Sequence, residues 1–337
     1  MSHRSVQWQS KGTRSLWLRL PVILAIVLLH GVVTGAAMAQ TKAAVPVLIV
    51  TVNHPNFAPF ILADMKGYYR EEGLDATLKL FVSGADAMTA FHALRAQFLG
   101  SSDMPSLLFW DKGDTMGIAP VFRSIGNMSV TVKADIANAK ALKGRKIAIL
   151  RGSTSEYFLD RIIDAQGLAT GDVLTINLSP PDMVPALVRG QVDGFIIWRP
   201  YAEKAKEIMG NEVRVLATAK DYFTEYSFAS TTRKFAAEQP QATTAFLRAL
   251  RRAVEYIYAH PQDAAKQLGD RIRTDPANVS TLIAAREYTL QFDDATRKQI
   301  NDVASFLAKR EKLTRAVRME EVFDERFLKS LDSNLVK

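Results

Sequence analysis

The chain contains no cysteine among its 337 residues. Disulfides and thiol chemistry are thereby excluded, as is a lipid anchor on an N-terminal Cys, and stability must come from an apolar core. Histidine is scarce too: beyond the N-terminal stretch only His54, His92 and His260 remain, too scattered to build a zinc site. There is no G-x-S-x-G elbow, no H-E-x-x-H and no P-loop, so the common hydrolase, metalloprotease and nucleotide-binding signatures are missing. Nor is there a dense Lys/Arg block interleaved with aromatics, which argues against nucleic acid as a partner. No internal repeat or low-complexity linker interrupts the chain. The one marked apolar run, Leu20 to Leu29, is too short to span a bilayer.

What is present begins with that run. Arg4, Lys11, Arg14 and Arg19 lead into it, and Ala37-Met38-Ala39 supplies a small-x-small exit before Gln40. Residues 1–39 therefore read as a cleavable signal peptide, and a soluble periplasmic protein starting near Gln40 is expected. The leader holds four cations and no acid, so its removal lowers the net charge from +8 to +4. That residue of charge is compatible with an anionic small ligand but does not demand one. With 48% hydrophobic residues, nearly 300 mature positions can build a two-lobed globular protein.

Strand-like and helix-like segments then alternate, which predicts parallel sheets. Strands are expected at 45–52, 74–81, 97–99, 118–125, 146–150, 173–178, 192–198, 213–217 and 226–231. Helices are expected at 57–72, 85–96, 183–189 and 201–209, and one opens after Asp103, with that residue as N-cap and Pro105 in its first turn. After 231 the chain turns helical: 241–259, 261–268, 276–288, 294–309 and 319–330.

The stretch LKGRKIAILRGSTSEYFLDRIIDAQGL from Leu142 carries the most information. It reads as a strand, a Gly-Ser-Thr turn and a helix whose free N–H groups, with the positive end of its dipole, could hold an anion. Ser153 with Glu156 also fits a capping box that only satisfies backbone donors, and both readings stay open. Turns at Ser83-Gly84, Gly100 to Asp103, Gly152 to Ser155 and Pro180 to Asp182 each follow a strand and open a helix, where ligands of open α/β sheets gather.

Several segments together resemble a family: ADMKGYYREEGLDATL from Ala63, GADAMTAF from Gly84, LGSSD from Leu99, LKGRKIAILRGSTSEYFL from Leu142 and PALVRGQVDGFIIWRPY from Pro185. Across about Val47 to Arg252 the chain looks like a solute-binding protein of an ABC importer, of the nitrate/sulfonate/taurine and thiamine-pyrimidine type. The resemblance implies an α/β, two-lobed type II periplasmic-binding-protein fold with a C-terminal helical segment. Lobe 1 would comprise 40–125 and 230–337, lobe 2 would comprise 130–225, and the crossings would lie near Ser124 to Val132 and Asp221 to Ala229. It further implies a monomer that closes on a solute and is read by a permease and its ATPase. No catalysis, metal or cofactor is expected; related folds serve in thiamine-pyrimidine synthesis, but through a cysteine-containing motif and iron.

Candidate ligand contacts are Asn53, His54, Asn56 and Phe57 after the first strand, then Ser83, Ser101, Ser102 and Asp103. From the second lobe come Ser153, Thr154 and Trp198. Several have a bland alternative: His54 as a surface residue, Asp103 as a helix cap, Trp198 as packing under the hinge. Related sequences read Trp-Glu-Pro where this one has Trp198-Arg199-Pro200, and Arg199 favours an anion only if it faces the cleft. A carboxylate at Asp103 would favour an amine, so an aminosulfonate zwitterion reconciles the two charges. A flat heteroaromatic solute beside Phe57, Trp198 and Tyr226, and delivery to a sensor instead of a permease, are the alternatives.

Overall fold

Ten strands are described in residues 43–337 of the computed structural model; the expected signal peptide and its cleavage point lie outside the described residues. They are β1 (Val45–Val52), β2 (Leu74–Phe81), β3 (Phe98–Ser102), β4 (Thr115–Ile125), β5 (Met128–Lys133), β6 (Lys146–Ile149), β7 (Leu174–Asn177), β8 (Gly194–Trp198), β9 (Val213–Thr218) and β10 (Thr224–Thr232). Two five-stranded sheets result, ordered β2-β1-β3-β10-β4 and β7-β6-β8-β5-β9. In each, four strands point one way and a single antiparallel strand, β10 or β5, is inserted between the third and the last. The chain leaves the first sheet through Gly126-Asn127 and returns from the second through 219–223, so both crossings fall inside or beside the expected segments.

The helices are α1 (Ala58–Met65), α2 (Tyr68–Glu71), α3 (Gly84–Leu94), α4 (Asp103–Trp110), α5 (Thr154–Gln166), α6 (Pro180–Val188), α7 (Tyr201–Met209), α8 (Arg233–Glu238), α9 (Pro240–Ala259), α10 (Pro261–Ile272), α11 (Pro276–Ala284), α12 (Asp294–Lys309), α13 (Met319–Val322) and α14 (Arg326–Leu331). The C-terminal helices complete the first sheet's core. Helix α9 buries Ala242, Ala245, Phe246, Ala249, Leu250, Ala253 and Ile257 at helical spacing. Phe246 stacks on Phe98 of β3 with ring centroids 3.8 Å apart and lies parallel to Tyr69 at 5.8 Å.

Four expected boundaries shift for physical reasons. The helix expected over 57–72 breaks at Gly67, which takes φ +72° between α1 and α2. The helix expected over 276–288 stops at Ala284, because Glu287 turns outward to exchange both backbone hydrogen bonds with Arg123 of β4. The final expected helix divides into α13 and α14. Most consequential, β3 runs on through Ser102 where a turn was expected from Gly100. Its continuation pairs Gly100, Ser101 and Ser102 with Ala229, Phe228 and Ser227 of β10, a partner more than 120 residues away. Gly100 is required there, since a Cβ would stand 2.3 Å from Thr51 Oγ1.

Candidate functional site

Where the strand ends of the two sheets face each other, a small inner cavity of about 20 Å³ is lined by Val52, His54, Asn56, Phe57, Gly84, Ser102, Pro105, Ser153, Thr154, Trp198 and Glu225. Residues that open three helices meet on it. Gly84 begins α3, Ser102 precedes α4, and Ser153 caps α5, its hydroxyl accepting from Ser155 N–H at 3.1 Å and donating to the Leu150 carbonyl at 2.7 Å. Glu156 accepts from Gly152 N–H at 2.9 Å and also pairs with Lys312, so both side chains satisfy backbone donors at the helix start, each one residue away from the capping-box pairing, and Glu156 is engaged. Helix openings from both sheets thus bring their positive dipole ends to one place.

Seven of the sequence-predicted residues line this cavity: His54, Asn56, Phe57, Ser102, Ser153, Thr154 and Trp198. His54 is buried, not a surface residue. Its Nδ1 accepts from Asn56 N–H at 3.3 Å, leaving Nε2–H to donate to the Arg199 carbonyl at 2.8 Å. Burial, aided by the charge of Arg286, pushes the imidazole down to about 3, so it stays neutral and acts as a tie between the two sheets.

Three others are committed elsewhere. Ser83 caps α3 and donates to Asp86 Oδ2 at 2.7 Å, and Ser101 shares a 2.6 Å hydrogen bond with Ser106. Asp103 is not the N-cap of α4, a position that Ser102 holds; it is a fully buried junction. Its carboxylate accepts from Met104 N–H at 2.8 Å, Thr154 Oγ1 at 3.0 Å, Gln299 Nε2 at 2.8 Å and Tyr226 N–H at 3.4 Å. Burial raises its pKa, and those four donors oppose the rise. Tyr226 is likewise packed away, parallel to Phe228.

The carboxylate that does line the cavity is Glu225, which sequence reading did not single out. It accepts from Asn127 Nδ2 at 2.7 Å, and burial pushes it up to about 7. Asn127 Oδ1 in turn accepts from the buried Arg286, whose Nε donates to Asn56 Oδ1 at 2.8 Å. A chain of polar groups therefore runs from Asn56 on the first-sheet side through Arg286 to the crossing residue Asn127 and on to Glu225. Ser227, two residues along β10 and register-paired with Ser102, has a buried hydroxyl with no partner among the described residues.

Outside this cavity, and sharing His54 and Trp198 with it, lies a larger one of about 540 Å³. Asn53 opens onto it, as do Arg199, Pro200 and Tyr201 from one side and residues of α10 and α11 from the other. Arg199 faces this outer cavity, and its guanidinium is paired with Glu203. Trp198 is half-buried between the two cavities and meets the His54 ring edge-on at 6.0 Å. Among the described residues no group of three or more His, Asp or Glu side chains is placed to hold a metal ion. No helix among them is long and apolar enough to cross a membrane.

The paired five-stranded sheets, two crossings and C-terminal helical cap define a two-lobed α/β fold of the type II periplasmic-binding-protein class. The chain belongs to the NMT1/THI5-like family, whose profile matches residues 54–264. It is similar to a Bacillus subtilis (strain 168) protein provisionally named as aliphatic sulfonates-binding, at 26% identity over 81% of this chain and 85% of that one. It is also similar to the taurine-binding periplasmic protein of Escherichia coli (strain K12), at 24% identity over 73% and 81%. The fold matches the alkanesulfonate-binding protein SsuA of Xanthomonas axonopodis pv. citri bound to MOPS, with TM-score 0.71, 20% identity and 84% and 99% of the two chains covered. A desulfurization enzyme, DSZB, has the same fold at TM-score 0.67 and 14% identity, so fold alone does not decide between binding and turnover.

Proposed function

We propose that this protein captures a small organic oxyanion of the sulfonate class between its two lobes and presents it, chemically unchanged, to an ABC permease and its ATPase. The observation that carries this reading is the meeting of three helix openings, from both sheets, on one cavity. Such donors favour a compact anion without any charged side chain. Glu225 adds the second half of the recognition. When ionised it would pair with a solute ammonium, which favours a zwitterion such as an aminosulfonate; the reconciling acid is then Glu225 in place of Asp103. The names of the relatives point the same way, towards sulfonates and taurine.

The proposed contacts are His54, Asn56, Phe57, Ser102, Ser153, Thr154, Trp198 and Glu225, with Asn53 at the mouth. The moving bodies are 40–125 with 230–337, and the second-sheet segment from about 130 to 223. The inner cavity holds roughly one water, so a solute enters only when the lobes part and the Asp103–Thr154 and His54–Arg199 bonds open. The place of work is the periplasm and the working form a monomer.

A second reading, a flat heteroaromatic solute such as a thiamine pyrimidine precursor, draws support from Trp198 beside Glu225, an acid that can both donate and accept. Calorimetry with taurine, ethanesulfonate, nitrate and an aminopyrimidine, at about pH 6 and about pH 8, separates them. Taurine should gain affinity with pH as Glu225 ionises, whereas ethanesulfonate, an anion without an amine, should lose it. Binding of the pyrimidine alone would replace the sulfonate reading.

A further inference from the structure

Strands β3 and β10 run side by side at the inner cavity, and their register decides which side chains reach it. Ser102 stands opposite Ser227 across the two strands, and Glu225 lies two residues before Ser227 along β10. Cross-strand partners point to the same face of a sheet, as do residues two apart on one strand. Ser102 and Glu225 both line the cavity, so Ser227 shares their face and forms the floor beside them. The buried hydroxyls on the opposite lobe are already engaged: Ser153 donates to the Leu150 carbonyl and Thr154 to Asp103. Ser227 is completely buried, yet its hydroxyl has no partner among the described residues. A dry, unpaired hydroxyl works against folding, so serine at this position does nothing for the solute-free fold that alanine would not do as well.

We propose that Ser227 is a specificity-determining residue, whose O–H donates from the sheet side to one oxygen of the solute's head group while the helix openings face the others. The inference rests on the sulfonate reading and deepens it. A sulfonate head is tetrahedral with three oxygens, so it can meet the helix openings with two and still turn the third towards the floor. A carboxylate has two oxygens in one plane, and with both at the helix openings none is left for Ser227. The hydroxyl is therefore paired by one class of acid and left unpaired by the other, and a buried group left unpaired is what rejects the wrong solute. Stability that the solute-free protein forgoes at this position reappears as selectivity on binding.

Ser227→Ala removes only the hydroxyl, and calorimetry with two matched pairs of acids, ethanesulfonate against propionate and taurine against β-alanine, reads the effect. Both sulfonates should bind the variant about tenfold or more weakly than the unaltered protein, the size of one hydrogen bond to a charged acceptor. Propionate and β-alanine should bind it no more weakly than before. The melting temperature of the solute-free variant should equal or exceed that of the unaltered protein, because no hydrogen bond within the fold is lost. Unchanged sulfonate affinity, an equal loss for both acids of a pair, or a lower solute-free melting temperature overturns the role of Ser227 and leaves the sulfonate reading intact. Failure of every sulfonate to bind the unaltered protein overturns both.

Discussion

Asp103 illustrates how much a single buried carboxylate organises: one side chain receives donors from α4, α5, α12 and β10. Asp103→Ala would leave Thr154, Gln299 and the Tyr226 N–H without their acceptor in a dry interior, so a loss of about 3 kcal/mol or more is expected in chemical denaturation. Glu225 behaves differently because its pKa is raised to about 7. Between the ordinary carboxylate value and about 7 the folded state holds a proton that the unfolded state has lost. The stability contributed by the protonated acid is therefore complete at low pH and disappears as pH rises through about 7. Glu225→Gln should be less sensitive across that window, and the stability gap between the two proteins, from urea melts at stepped pH, should shift in favour of the variant as pH rises. Neither role was legible locally. Asp103 was noticed as a cap candidate beside Pro105 and as a ligand contact, not as a buried junction, while Glu225, Arg286 and Asn127 meet across 98 to 159 residues with no pattern to announce it.

At the scale of elements, sequence periodicity worked where burial is one-sided and local. The strand 74–81 and the helices 201–209 and 294–309 end where their alternation or 3.6-residue spacing ends, while 45–52, buried on both faces, was readable as an apolar run of strand length. It failed where a distant strand decides, as in the continuation of β3 beside β10. The helix opening at α5 was readable because a strand, Gly152 and a capping serine stand in a row. Ser153→Ala removes the cap, which should cost about 1 kcal/mol; under the proposed function it also weakens solute binding, measurable on the same sample by calorimetry. The first two turns of α5 are held from α12's end, beyond their own sheet: Arg310 pairs with Asp160 at 2.7 Å and Lys312 with Glu156 at 2.6 Å, just past the end of α12. Phe306 of α12 meets Tyr157 at 4.9 Å between centroids.

For the molecule as a whole, under the proposed function, these ties would bear on the balance between parted and closed lobes. Removing both ion pairs, with Arg310→Ala and Lys312→Ala together, should bias the free protein towards parted lobes. Small-angle scattering would then show a larger radius of gyration without solute, and affinity would fall because closure must supply what the pairs had provided. An unchanged scattering curve and an unchanged affinity would show that the pairs merely decorate the surface. The insertion of β10 carries one more consequence, for how the polypeptide reaches this state. Because Thr224–Thr232 lies between β3 and β4, the first sheet has a gap at its middle until that segment has been synthesised. An emerging chain can zip β1, β2 and β3 early, yet it can seal neither the sheet nor the aromatic stack under α9 until late. Completion of the first sheet therefore depends on long-range pairing, the kind of contact that forms slowly and leaves unpaired strand edges exposed meanwhile.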